Sequence, residues 1–165
     1  ILSPGPSHPR DAGNMMALID RAYGDVPLLG ICLGFQALIE HFGGDVRPCG
    51  PVHGSSVAMT LTDAGVGHAI FEGLAVDASP DQPEVVGRLV PVARYHSLGA
   101  TETPAPLQAL ATTPTDIGDV VMAAVAPSPR RPEDIDAIGL QFHPESILTP
   151  GGPIMLVRCI DQLLN

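Results

Sequence analysis

The sequence predicts an α/β fold in which a mostly parallel sheet carries helices on both faces. Helical and strand-like segments alternate at both ends of the chain, and the apolar run 26–31 is typical of a strand covered on both faces. The length of 165 residues and a hydrophobic content of 45% are enough for one domain with a sizeable core. We therefore treat residues 1–165 as a single domain.

Each element follows from a local pattern. Helices are expected where apolar residues recur every three or four positions, after Asp11 or Asn14, after Cys32 and from Pro153. Strands are expected where β-branched residues cluster between proline, glycine and aspartate. Beyond the run 26–31, the predicted strands cover 56–61, 85–94, 107–112, 120–125 and 135–142. The proline-rich stretches 79–83 and 127–132 are short and are predicted to be surface loops.

Charge and cysteine content argue against several function classes. The chain has 18 acidic residues against 8 basic ones, a net charge of −10, which disfavours binding to nucleic acid or anionic membranes. Three cysteines without metal-ligand spacing predict neither a disulfide framework nor a metal site, and favour a reducing, cytoplasmic location. No apolar run approaches membrane-spanning length. Because Ile1 resembles the end of a strand, we expect that further N-terminal elements are missing from this chain.

A cysteine stands where the buried strand gives way to a helix. Gly30 and Gly34 flank Cys32 two positions away on either side, which is typical of a sharp strand-to-helix turn because side chains there would crowd the backbone. The unpaired amides and the dipole at a helix N-terminus favour a thiolate. Many buried cysteines are only structural, but this setting predicts that Cys32 is a nucleophile. Cys49 and Cys159 lack such a setting.

A histidine and a carboxylate follow the last predicted strand. Strand 135–142 runs directly into His143, and Glu145 comes two residues later. A nucleophilic thiol needs a base, and the base needs a third group that holds its tautomer and stabilises its cation. A His-x-Glu pair alone is a weak signal, but the carboxyl ends of strands in open α/β sheets meet at one crevice. The predicted catalytic residues are therefore Cys32, His143 and Glu145.

Two further segments are candidates for binding the substrate. The loop Ser3-Pro4-Gly5-Pro6-Ser7 is either an ordinary rigid turn or, together with the amide of Leu33, an oxyanion hole. Segment 94–98 (Arg-Tyr-His-Ser-Leu) is either a plain strand end or, through Ser97 and Leu98, the lining of a small polar pocket. The residues alone leave both alternatives open.

With these residues in view, nearly the whole chain resembles the class I (triad) glutamine amidotransferases. The segment Gly-Ile-Cys-Leu-Gly-Phe-Gln at 30–36 matches a motif shared by many of them. Segments 94–98, 143–149 (His-Pro-Glu-Ser-Ile-Leu-Thr) and 51–54 (Pro-Val-His-Gly) narrow the resemblance to the chorismate-using branch. This branch comprises the glutaminase components of anthranilate synthase and aminodeoxychorismate synthase.

The resemblance implies a flavodoxin-like sheet and hydrolysis of the glutamine side-chain amide. Cys32 would form a γ-glutamyl thioester, with His143 as acid and base and Glu145 orienting it. The released ammonia would pass to a chorismate-binding synthase, either a separate subunit or a fused domain. No cofactor is expected in this domain, while the partner synthase is a candidate for using Mg²⁺.

The resemblance also implies which residues bind glutamine. By motif position they lie in the loop after the first strand, at the polar clamp on the helix and in a backbone-binding strand: Gly5, Pro6, Ser7, Leu33, Gln36, Ser97 and Leu98. Two positions depart from the family pattern. Ser7 replaces a usual glycine and is expected to stiffen the loop, whereas Phe35 replaces a common histidine outside the three catalytic roles and is expected to be tolerated.

Two other functions stay open at this stage. A stand-alone γ-glutamyl hydrolase or peptidase with the same fold would show no rate response to a synthase. A non-catalytic regulatory domain would form no adduct between Cys32 and a glutamine analogue, although the intact Cys32, His143 and Glu145 argue against it. The product of the synthase, whether anthranilate, aminodeoxychorismate or a related secondary metabolite, depends on the partner's pocket.

Overall fold

The computed structural model describes residues 1–50, 54–79, 81 and 85–164. Residues 51–53, which the family resemblance invokes as Pro-Val-His, lie outside the described residues, as do three positions of the predicted loop 79–83. Within the described ranges, no helix is both long enough and apolar enough to cross a membrane.

A six-stranded sheet forms the centre of the fold. Its strands lie in the spatial order β1, β8, β7, β6, β3, β4, and a separate pair joins β2 to β5. The bounds are β1 Leu28–Ile31, β2 Arg47–Pro48, β3 Ser55–Leu61, β4 Leu89–Arg94, β5 Leu98–Gly99, β6 Gln108–Thr115, β7 Gly118–Pro127 and β8 Ile135–Leu140. All the predicted strands are found. β4 begins at Leu89 rather than at 85, because the Asp77 carboxylate accepts hydrogen bonds from the amides of Arg88 and Leu89 there.

The strand directions correct part of the sequence prediction. β1 runs parallel to β8, and Leu2 forms a further parallel bridge to Gly30. The pairs β8–β7, β7–β6, β6–β3 and β3–β4 are antiparallel, so the described sheet is mixed rather than mostly parallel. For β6 and β7 the connection explains the direction, since a tight turn between Thr115 and Gly118 joins them, and parallel strands need a crossover of about a dozen residues or more. The α/β class itself is confirmed.

Helices cover both faces of the sheet, as predicted. On one face α1 (Met15–Ala22) and α2 (Leu33–His41) pack around one hydrophobic core. On the other face α4 (Gly152–Leu164) packs around a second core together with the 3-10 turn Ala69–Phe71. In β8, Ala137 packs in the first core while Ile138 and Leu140 pack in the second, because strand side chains point to opposite faces. The remaining elements are the single-turn α3 (Asp63–Val66) and a 3-10 turn at Pro9–Asp11.

All three cysteines are free and buried. Cys159 lies on α4 within the second core, where burial raises the pKa of its thiol to about 12. A thiol with this pKa remains protonated and packs as an apolar group. Cys159 is therefore a packing residue, whereas Cys32 and Cys49 lie beside the site described next.

Candidate active site

The turn between β1 and α2 places Cys32 at the carboxyl end of the sheet. Cys32 has a φ of 52° and a ψ of −103°, a conformation that a non-glycine residue keeps only where its surroundings hold it. Its N–H donates to the carbonyl of Leu140 at 2.7 Å. A Cβ placed on Gly30 would lie 2.7 Å from the carbonyl carbon and oxygen of Gly34. A Cβ on Gly34 would lie 2.6 Å from Cβ of Leu2, so Gly30 is required by the turn itself and Gly34 by the neighbouring Leu2.

β8 brings His143 and Glu145 to the edge that carries Cys32. The parallel register pairs Ile31 with Leu140, so β1 and β8 end side by side. Beyond these ends, Nδ1 of His143 lies 2.7 Å from Oε1 of Glu145. Because a carboxylate only accepts hydrogen bonds, Nδ1 carries the proton and Nε2 is left to act as a base. The base and its orienting carboxylate are thus already paired.

Thr149 and the end of β4 hold the His143 segment in place. The Thr149 hydroxyl donates to the carbonyl of His143 at 2.7 Å and accepts from the N–H of Ala93 at 2.9 Å. The N–H of His143 donates in turn to the carbonyl of Ala93 at 3.3 Å. Three hydrogen bonds therefore connect the backbone of the base to β4, which lies at the far edge of the sheet from β1.

The ring of Tyr95 packs against the ring of His143. Their centroids are 5.0 Å apart in an edge-to-face arrangement, a geometry that contributes about 0.5–1.5 kcal/mol in protein pairs. The Tyr95 hydroxyl lies 3.1 Å from Oγ of Ser146, and a Cβ on Gly54 would fall 2.7 Å from the Tyr95 ring. Tyr95 therefore limits the orientations that the imidazole can take.

The Cys32 thiol is protonated in this arrangement rather than poised as a thiolate. Burial raises its pKa from 9.0 to about 11, a hydrogen bond from the Leu33 N–H lowers it, and the Glu145 carboxylate raises it. The sulfur also accepts from Nε2 of Gln141 at 3.8 Å, and within the described part of the chain it makes no hydrogen bond to His143. The Leu33 N–H at the helix N-terminus thus favours the thiolate, as expected from the sequence, but burial outweighs it. Deprotonation at neutral pH requires a base.

The loop that carries Gly5 lies against the start of α2. A Cβ on Gly5 would fall 2.8 Å from Cδ2 of Leu33, so a larger residue would displace that side chain. Gly5, Pro6 and Ser7 are exposed beside this contact. Ser7 has a φ of 72°, in the left-handed region that favours glycine, which costs a non-glycine residue about 1–2 kcal/mol. The loop therefore lies beside the start of α2, and its role as an oxyanion hole stays a prediction.

Gln36 reaches from α2 to the predicted glutamine-binding segment. Its buried side chain donates through Nε2 to the carbonyl of Leu98 at 3.0 Å and to Oε1 of Gln141 at 3.2 Å. Since Gln141 also contacts the sulfur of Cys32, these side chains connect the nucleophile to Leu98. Ser97 is exposed next to Leu98. The structure thus brings Gln36, Leu98 and Cys32 together, while contact of each with glutamine stays a prediction.

Sequence reasoning missed three residues of this site. Gln141, Tyr95 and Thr149 all belong to segments that the sequence analysis singled out, but no local pattern shows which neighbour their side chains reach. Their contacts join positions 51–109 residues apart. Phe35, in contrast, is buried against Gly139 of β8 and lies outside the catalytic contacts, as expected.

The site consists of a thiol, an imidazole and a carboxylate, a set that suits acyl transfer by the protein's own groups. Across the described ranges, no group of three or more His, Cys, Asp or Glu side chains is arranged to hold a metal ion. Whether the domain works without a cofactor stays a prediction.

Fold and site together define a class of protein. Residues 1–163 match the family model described as glutamine amidotransferase class-I, and the chain belongs to this family. The resemblance inferred from the motifs is therefore confirmed.

Individual relatives narrow the comparison. The chain is 60% identical to anthranilate synthase component 2 of Corynebacterium glutamicum, covering 99% of this chain and 76% of that protein. It is 39% identical to anthranilate synthase component 2 of Vibrio parahaemolyticus, covering 100% of this chain and 71% of that protein. A solved glutamine amidotransferase from Methylobacillus flagellatus superposes with a TM-score of 0.59 at 21% identity, covering 86% of this chain and 49% of that one. This last likeness concerns the fold alone, and the chain spans about half to two thirds of the solved structures it matches.

Proposed function

We propose that the chain is the glutaminase component of an anthranilate synthase. It hydrolyses the side-chain amide of L-glutamine and supplies the ammonia to a chorismate-binding synthase component. The observation that carries this proposal is the placement of Cys32 and the His143–Glu145 pair at the adjoining ends of β1 and β8. The shared name of the relatives, anthranilate synthase component 2, supports anthranilate rather than another product.

The proposed reaction uses Cys32 as nucleophile and His143 as acid and base. Sγ of Cys32 attacks the carboxamide carbon while Nε2 of His143 takes the thiol proton. His143 then gives this proton to the leaving nitrogen, so that ammonia departs and a γ-glutamyl thioester remains. Water, deprotonated by His143, hydrolyses the thioester and releases glutamate, and the sulfur recovers its proton. The base is indispensable because the pKa of Cys32 is about 11.

The surrounding groups fit the charges that arise in this reaction. Glu145 stabilises the imidazolium that forms when His143 accepts the thiol proton. The amides near Gly5 and at Leu33 face the oxyanion of the tetrahedral intermediate, and each such donor is typically worth about 2.7–4 kcal/mol. Gln36 and the Leu98 peptide hold the main-chain end of glutamine.

Replacing Cys32 with serine tests the proposal. With the synthase component and chorismate supplied, C32S is expected to abolish glutamine-dependent anthranilate formation and to leave ammonia-dependent formation intact. The control C159A alters a cysteine in the opposite core and is expected to retain both activities. Loss of both activities in C32S contradicts the proposed division of labour. Glutamine hydrolysis by the unaltered chain at a rate indifferent to the synthase indicates a stand-alone hydrolase instead.

A further inference from the structure

A buried polar cluster lies next to the site and takes no part in the proposed catalytic steps. It consists of Cys49, Arg94 and His96, with exposed fractions of only 2%, 7% and 4%. Nη2 of Arg94 donates to the carbonyl of Cys49 at 3.1 Å and lies 3.4 Å from its sulfur. Nδ1 of His96 lies 3.7 Å from the same sulfur. The three side chains therefore form one contiguous group.

Arg94 is an expensive residue to bury in this way. Among the described residues it has no carboxylate partner, and its Nε has no hydrogen-bond partner. Burying a guanidinium without an acidic partner lowers stability, because the lost hydration is only partly replaced. The second ring nitrogen of His96, Nε2, is also buried without a partner in the described part of the chain. These two side chains are therefore poorly explained by folding stability alone.

The contacts of the cluster converge on the segment Ser97–Leu98. The N–H of Cys49, whose carbonyl is held by Arg94, donates to the carbonyl of Ser97 at 2.8 Å. Burial lowers the pKa of His96 to about 4, so its ring is neutral near pH 7, and Nδ1 donates to the carbonyl of Leu98 at 2.8 Å. Both peptides of the segment are thus held by the cluster.

The strand register then determines which group of Leu98 remains for a ligand. Pro48 is paired with Leu98 in β2 and β5, and just beyond them the N–H of Cys49 donates to the carbonyl of Ser97, so Pro48 and Leu98 form a non-hydrogen-bonded pair. The N–H and C=O of Leu98 therefore both point away from β2, toward Gln36. Its carbonyl already accepts from Gln36 and His96, which uses both lone pairs. Among the described residues the N–H of Leu98 has no partner, and it is left as the donor directed at the site.

We propose that Arg94 and His96 are positioning residues for glutamine, because they fix the Ser97–Leu98 segment so that the Leu98 N–H meets the main-chain end of the substrate. Arg94 acts through Cys49, and His96 acts directly on Leu98. The same strand end also binds the base, since the carbonyl of Ala93 accepts from the N–H of His143. This inference rests on the proposed function, because it assigns a role within the binding of glutamine.

The test compares R94M, which removes the donors but keeps the bulk, with R94K, which retains one donor. The matched control is R88M, at the base of the same strand, where the arginine bonds to Leu61 and Asp63 instead. Each variant is assayed for glutamine hydrolysis in the full protein with its synthase component, and for alkylation of Cys32 by iodoacetamide. R94M is expected to raise KM for glutamine about tenfold, as for the loss of one strong hydrogen bond. Its kcat and its iodoacetamide rate are expected to stay near the unaltered values.

R94K is expected to lie between R94M and the unaltered protein, and R88M to leave KM unchanged. If R94M does not fold, H96L carries the test with the same expected rise in KM. The inference is overturned if KM for glutamine stays within about twofold of the unaltered value in both R94M and R94K. Where R94M fails to fold, the same result in R94K and H96L overturns it. It is equally overturned if KM, kcat and alkylation of Cys32 all change together, since that outcome indicates a general disturbance of the fold. If the unaltered protein does not hydrolyse glutamine, the proposed function fails instead.

Discussion

The unfolding free energy of this protein is expected to fall between pH 7 and pH 5, and replacing His96 with leucine is expected to make that fall about 2 kcal/mol smaller. His96 is buried at the end of β4. Burial lowers its pKa from 6.5 to about 4, the hydrogen bond to Leu98 opposes this, and the charge of Arg94 and that of His143 when protonated lower the pKa further. The folded protein therefore resists protonation at this position, whereas the unfolded chain does not.

The sign of the effect follows from proton binding. Between pH 6.5 and about 4, the unfolded chain binds more protons at His96 than the folded chain does. The stability associated with the neutral ring is therefore complete above pH 6.5 and declines as the pH falls toward about 4. At 1.36 kcal/mol per pKa unit, the loss between pH 7 and pH 5 is about 2 kcal/mol.

The assay is denaturant unfolding at pH 7 and at pH 5, with the difference in unfolding free energy as the readout. H96L is expected to show a difference about 2 kcal/mol smaller than that of the unaltered protein, whatever its absolute stability. V92A, which trims a buried side chain on the same strand, is the matched control and is expected to lose stability equally at both pH values. The reasoning is refuted if H96L keeps the full pH dependence of the unaltered protein.

Two further outcomes test the nucleophile turn. G34A is expected to lower the unfolding free energy by about 1–3 kcal/mol, because the new Cβ would lie 2.6 Å from Cβ of Leu2. The control is G67A, where a new Cβ would have no atom within 4 Å. Equal effects of the two substitutions in chemical denaturation would contradict the steric explanation. E145Q is expected to lower the pKa of Cys32, because the carboxylate charge that helps to raise it is lost, while burial, the main cause of the raised pKa, stays. The pH profile of iodoacetamide alkylation should therefore move to lower pH. A profile that stays in place would show that Glu145 does not act on the thiol.

Local patterns were sufficient for the parts of the site that a few neighbouring residues specify. The turn at Cys32 was predictable because Gly30 and Gly34 must both be small where a strand reverses into a helix. His143 and Glu145 were predictable as a pair because two residues of separation already bring their side chains within reach. The presence of α2 and α4 followed from helical periodicity.

Other features depend on groups that meet only in the folded chain. The direction of the strands was wrong in part because adjacency in the sheet follows the connections, not the composition of each strand. The raised pKa of Cys32 results from burial outweighing the Leu33 N–H, a balance that no local motif displays. The Gln141 contact to Cys32 spans 109 positions of the chain.

The sequence by itself thus determined the family, the nucleophilic turn and the paired base, since these are short-range steric and chemical requirements. Tertiary structure decided the mixed direction of the sheet, the protonation of the thiol and the contacts of Arg94 and His96 with the segment Ser97–Leu98. The physical reason is that burial and long-range hydrogen bonding are properties of the assembled core, which residues distant in sequence create together.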